Sequence, residues 1–106
     1  MGKNLCRALY TTEGVKGLLK EGGTSRRAMV ENLVRGMGGT LEAVYFAFGD
    51  DDVYLIVDVP DNVTSTAFSL VVNASGAVNV KTTVLLTPEE IDEAAKLTVD
   101  YRPPGQ

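Results

Sequence analysis

Two apolar runs and the turn between them decide the fold: Thr40-Leu41-Glu42-Ala43-Val44-Tyr45-Phe46-Ala47-Phe48, then Gly49-Asp50-Asp51-Asp52, then Val53-Tyr54-Leu55-Ile56-Val57-Asp58-Val59. β-branched and aromatic residues dominate both runs. In the first, Leu41, Ala43, Tyr45 and Ala47 alternate with Glu42, Val44, Phe46 and Phe48. A glycine followed by three acids is turn chemistry, so the stretch predicts an antiparallel hairpin. Upstream, Val15, Leu18, Leu19, Gly22, Met29, Leu33 and Met37 keep one helical phase as far as the Gly38-Gly39 stop. Gly22-Gly23 interrupts that phase, leaving either a weakened turn or a true break that Thr24 or Ser25 caps. Ahead of it, residues 4–12 read as a strand with Leu5, Arg7 and Leu9 on one side and Cys6, Ala8 and Tyr10 on the other.

Downstream of the hairpin, Pro60-Asp61-Asn62 opens a second helix, capped by Asp61 or Asn62, whose apolar face is Val63, Ala67, Leu70, Val71 and Ala74. Gly76 ends it and Val78 to Thr87 forms a fourth strand. Thr87-Pro88-Glu89-Glu90 starts a short helix to about Leu97, and the tail Asp100–Gln106 is held extended by Pro103 and Pro104. The order strand, helix, strand, strand, helix, strand is the ferredoxin-like α+β arrangement, an antiparallel sheet with two long helices on one face. Residues 1–99 are expected to form that single domain, and 100–106 a Pro-rich tail.

The chain has 106 residues, 10 basic and 14 acidic side chains, no His, no Trp and one Cys. Its mass of 11.3 kDa corresponds to roughly 5,700 Å² of surface when compactly folded. Without His there is no Ser-His or Cys-His couple and no imidazole ligand. One Cys permits neither an internal disulfide nor a cysteine metal cluster, and Cys6 reads as a buried core thiol. A net charge of -4 argues against nucleic acid. No run approaches a membrane span, so a cytoplasmic protein with no cofactor, metal or membrane partner is expected.

Two helices cover one side of a four-stranded sheet, yet these strands carry apolar residues on both sides: Leu5 and Leu9, Val44 with Phe46 and Phe48, Tyr54 and Ile56. If about 500 Å² of such a face were apolar, its burial would stabilise by on the order of 12 kcal/mol per subunit before association entropy is subtracted. A second copy meeting it face to face is the economical cover, giving a homodimer or higher homo-oligomer. Arg7 and Tyr54 share strand positions with Leu5, Leu9 and Ile56 and are candidates for the wall of a space between paired sheets. Phe46 and Phe48 are expected to pack at the same interface. Asp52, next to Val53, is placed to reach that space as an acid or base. Asp50 and Asp51 read as solvated turn formers, since no further acids at recognised spacing complete a cation shell. Gly22-Gly23-Thr24-Ser25-Arg26-Arg27 combines a glycine turn into a helix with two guanidiniums, which suits a carboxylate or phosphate; the plain reading pairs Arg26 and Arg27 with Glu21 and Glu31.

The sequence resembles the GYD domain family in Tyr10-Thr11-Thr12-Glu13-Gly14-Val15-Lys16-Gly17-Leu18, in Gly22–Arg27, in Leu41–Val53, in Asn73-Ala74-Ser75-Gly76-Ala77 and in Leu85-Leu86-Thr87-Pro88-Glu89-Glu90. Gly49 and Asp52 hold the glycine and aspartate places of the naming motif, and Asp51 stands where the name implies Tyr. The resemblance implies a dimeric α/β barrel, two ferredoxin-like subunits pressing their sheets around shared space, and brings no settled activity. The leading expectation is a protein that binds a small organic ligand there through Arg7, Phe46, Phe48, Tyr54, Arg26 and Arg27. The rival is a cofactor-independent oxygenase- or isomerase-like enzyme using Asp52, Tyr54 and Arg7, and a third reading is an assembly module whose Pro103-Pro104 tail clasps a neighbour.

Overall fold

The computed structural model describes residues 2–47 and 49–106. In chain order the elements are β1 (Gly2–Tyr10), α1 (Thr12–Glu21), α2 (Gly23–Gly36), β2 (Thr40–Phe46), β3 (Val53–Val59), α3 (Asn62–Ala74), β4 (Val78–Leu85) and α4 (Pro88–Ala95). The strands form one antiparallel sheet in the order β2-β3-β1-β4. The fold is therefore α+β with a four-stranded antiparallel sheet, in agreement with the ferredoxin-like order of elements.

Local chemistry fixes the helix ends. The Thr11 hydroxyl accepts from Gly14 N–H at the start of α1. Only glycine fits at position 14, because a Cβ there would lie 2.1 Å from the Ala77 carbonyl oxygen. Gly22 ends α1 by donating its N–H to Leu18 O at 2.7 Å, and its φ of 88° turns the chain into a new helix. The interruption is thus a real break. Thr24 and Ser25 lie inside α2, and no side chain caps that helix. Asp61 caps α3, its Oδ1 accepting from both Thr64 N–H and Thr64 Oγ1 at 2.8 Å, which holds its carboxyl below the usual value. Thr87 and Glu90 form a reciprocal capping box on α4.

The core lies between the sheet and α2 and α3. Cys6 and Ala8 of β1, Val53, Leu55, Val57 and Val59 of β3, and Val78 and Val80 of β4 meet Val34 and Phe68 there. Their strand neighbours Leu5, Arg7, Leu9, Tyr54 and Ile56 point away from the helices by the alternation of the pleat. On β2 the register shifts between Leu41 and Ala43, so that Leu41 pairs with Val57 and Ala43 with Ile56. This bulge places Leu41, Val44 and Phe46 on the helix side and Ala43 and Tyr45 on the open side. The expected grouping of Val44 and Phe46 with the uncovered face is corrected accordingly.

The chain leaves its own body at Pro88. Every residue from Pro88 to Gln106 is exposed, and α4 makes no more than marginal contact with any other element. Overall extents are 57 × 33 × 23 Å and the radius of gyration is 17.0 Å, against about 13 Å for a compact domain of this length. The accessible surface of 7445 Å² exceeds the roughly 5,700 Å² of a compact chain of this mass. No helix among the described residues is long and apolar enough to cross a membrane.

Burial raises the pKa of Cys6 above 9.0, the Thr82 hydroxyl only partly opposing it. A thiol with a raised folded pKa contributes stability below the unfolded value that is lost as pH rises through the folded one. Urea midpoints of the wild type should therefore fall, relative to a Cys6→Ala variant, as pH rises above the ordinary thiol value of about 8.5. Ellman's reagent at pH 8 should label Cys6 at the rate of global unfolding.

Candidate functional site

The open face of the sheet carries one polar row. The cross-strand register places Tyr45 beside Tyr54, Tyr54 beside Arg7, and Arg7 beside Lys81. The adjoining row is apolar at three positions, Ala43, Ile56 and Leu5, and ends in Thr83. Beyond it, Lys3 bonds Glu42 at 2.5 Å and lies 3.8 Å from Asp58.

The hairpin turn supplies a carboxylate to this face. Asp52 N–H donates to Ala8 O at 2.8 Å, and Asp52 Oδ2 accepts from Tyr10 N–H at 3.0 Å. The side chain of Asp52 thereby extends the β1–β3 ladder by one hydrogen bond, and one of its two oxygens is committed to the backbone. Asp51 lies next to Arg7 and Lys81, its Oδ2 4.0 Å from Arg7 Nη1 and its Oδ1 3.6 Å from Lys81 Nζ. Only 4% of the Asp51 side chain is exposed, so it is no solvated turn former. Its Oδ1 has no hydrogen-bond partner, and neither has the buried Nε of Arg7. A buried acceptor and a buried donor beside an uncovered apolar surface are poised for groups from outside the chain.

The remaining candidates lie on the opposite side of the sheet. The Phe46 ring lies where a Cβ on Gly23 would meet it at 3.3 Å, and with Arg26 and Arg27 it lines a slot between the helices and the sheet. Arg7 and Tyr54 are thus brought together, while Phe46, Arg26 and Arg27 form a second group behind the same strands. Phe48 lies outside the described residues. The expected partners of Arg26 and Arg27 are engaged elsewhere: Glu31 pairs with Arg35 at 2.7 Å and Glu21 accepts from Ser25 Oγ. Among the described residues no group of three His, Cys, Asp or Glu side chains is arranged to hold a metal ion. Sequence reasoning missed Asp51 as a member of the open-face cluster, and it ranked Lys81, a charged residue inside a strand, below Arg7 and Tyr54. Their signal was the even spacing of Lys81 across from Arg7 on the neighbouring strand, which only the register turns into a contact.

The GYD domain family model matches residues 5–95, a span that includes both groups and the turn carrying Gly49 and Asp52. The chain belongs to the GYD domain family. Among curated proteins, and among solved structures, none matches it. In this GYD domain the motif turn has two structural tasks, which fall to Asp52 on the backbone ladder and Asp51 on the cationic pair.

Asp51 is compensated by two cations that are themselves partly solvated, so the buried-pair range is discounted. Replacing both Arg7 and Lys81 by Gln is expected to lower unfolding free energy by about 2 kcal/mol, and adding Asp51→Asn to restore most of it. Urea denaturation of the four combinations measures that coupling.

Proposed function

We propose that this GYD domain is a homo-oligomeric small-molecule-binding protein in which two copies pair their open sheet faces and enclose an organic anion between Arg7, Lys81 and Tyr54. The observation that carries the reading is the charged cluster set in an apolar, uncovered sheet, with Asp51 Oδ1 and Arg7 Nε buried and without a hydrogen bond. Arg7 can direct Nε–H at an acceptor, and Tyr54, 37% exposed, presents a ring and a hydroxyl beside it. The commitment of Asp52 Oδ2 to Tyr10 N–H favours binding over acid–base catalysis by that residue.

Self-association is supported by area. The accessible surface exceeds that of a compact monomer by roughly 1,700 Å², and a standard interface removes about 800 Å² from each partner. Isolated helices shorter than about 12 residues are marginal in water, so the 8-residue α4 needs tertiary support that its own body does not give. Its amphipathic run continues into exposed Leu97, Val99 and Tyr101. Helix α3 carries no charged residue, although Val63, Leu70 and Val71 are exposed. Both features fit an arm that leaves one copy to lie on another.

Sedimentation at low micromolar concentration should return a species of at least twice 11.3 kDa. Ile56→Glu, which sets a charge in the middle of the paired faces, should weaken association about 100-fold or more. A wild-type monomer at these concentrations overturns the pairing. Native mass spectrometry of the oligomer should show a bound organic mass that Arg7→Ala reduces. Retention of that mass by Arg7→Ala overturns the assignment of the anion to this cluster.

A further inference from the structure

The slot behind the sheet is independent of the open face. It lies between α2, α3 and the helix-side surface of the strands, with Met29, Leu33, Phe68 and Val72 among its walls, and opens to solvent at its mouth. Apart from Tyr10, Arg26 and Arg27, every side chain on its walls is apolar. Two further hollows adjoin it. One shares Tyr10, Arg26 and Val78 with the slot, and the other shares Arg27, Val44 and Phe46. The three form a trench beneath the α1–α2 elbow, with Arg26 where one pair of hollows meets and Arg27 where the other does.

Both guanidiniums are free. Among the described residues neither has a carboxylate within 4.0 Å, and neither side chain makes a hydrogen bond; the nearest acids in sequence serve Arg35 and Ser25. An apolar cavity with adjoining unpaired cations recognises one kind of molecule well, an anion with a hydrophobic body. The apolar part would gain by leaving water, while a carboxylate would accept from the fork of donors of a guanidinium at the mouth. A fully polar anion such as inorganic phosphate would leave the slot unfilled, and an uncharged hydrocarbon would leave the arginines unused.

The geometry points to a binding site for a monoanionic amphiphile, an aliphatic or aromatic body bearing one carboxylate, with its tail between α2, α3 and the sheet and its head at the mouth in the field of Arg26 and Arg27. The elbow suits such a guest. Gly22, at φ 88°, joins two separate helices, and α2 begins without a side-chain cap. Phe46, 41% exposed and stacked near Gly23, stands at the junction of the slot with the outer hollow, where a small rotation widens the entrance. Met29 adds an unbranched, adaptable wall.

The site lies on the opposite face from Arg7, Lys81 and Tyr54, so it goes beyond the reading above and stands or falls separately. Decanoate is a suitable probe, with 1-decanol as the uncharged control. Calorimetric titration of the full chain should give saturable decanoate binding, weakened at least tenfold in the Arg26→Gln/Arg27→Gln variant and at least tenfold for decanol. Nuclear Overhauser contacts should connect the ligand chain to the Met29 methyl and the Phe68 ring. Leu33→Trp, which fills the entrance, should abolish binding while thermal melting shows the variant folded. Absence of decanoate binding at 1 mM overturns the proposal. Equal affinity in the double-glutamine variant, or contacts to Tyr54 and Ile56 in place of Met29 and Phe68, overturns it as well.

Discussion

Two helices can shield one surface of a four-stranded sheet, and in this chain β3 and the middle of β1 bury what they turn toward α2 and α3. Cys6, Ala8, Val53, Leu55, Val57 and Val59 meet that requirement at 6% exposure or less. The rest of the molecule is a consequence of what remains. A central strand has two faces, and no helix is left to cover the second once α4 has departed with the C-terminal arm. The apolar residues of that second face, together with the arm and the uncharged α3, leave the monomer with more surface than a chain of its mass ordinarily exposes.

Charge is arranged by the same constraint. In a sheet whose helix side is dry, charged residues within strands must point the other way, and Lys3, Arg7, Asp58 and Lys81 all do so. All four find partners there at the sheet surface, Lys3 with Glu42 and Asp58, and Arg7 and Lys81 with Asp51. The Lys3–Glu42 bond is solvated and raises the lysine pKa chiefly through that hydrogen bond, which makes it a modest contributor to stability. Asp51 differs because it is buried. A carboxylate with one oxygen unpartnered carries a desolvation cost that contacts of 3.6 and 4.0 Å offset incompletely, and the same feature makes it receptive to an external donor.

Much of this was readable from the residues, and the failures have physical causes. Alternation assigned Leu5, Arg7 and Leu9 to one face because a strand's period is fixed at two. Asp61 and Thr87 announced their helices because a cap acts within four residues of itself. Phe46 escaped because the bulge at Leu41 and Ala43 is a property of two strands together, set by how β2 meets β3, and one added residue reverses every later side chain. Asp51 escaped for a related reason. A run of acids in a turn reads as solvated until the turn's hydrogen bonds to Ala8 and Tyr10 show that Asp52 is held and its neighbour driven inward. The helical character of α4 was local and legible, whereas its separation from the body is a tertiary property that no local pattern encodes.

The two candidate sites share their walls. Arg7 and Tyr54 face outward from the same strands on which Ala8, Val53 and Leu55 line the slot within. A slip of one residue in the pairing of β1 with β3 would exchange the two sets, driving a guanidinium into the dry layer and a valine onto the open face. Neither site therefore could exist in another register, and the register is pinned at the end of the ladder by Asp52, whose backbone N–H bonds Ala8 and whose carboxylate bonds Tyr10. The motif aspartate bears on both faces through the pairing it fixes. The turn from Gly49 to Asp52 thus sets the geometry of the sheet through Asp52 and the charge of its open face through Asp51.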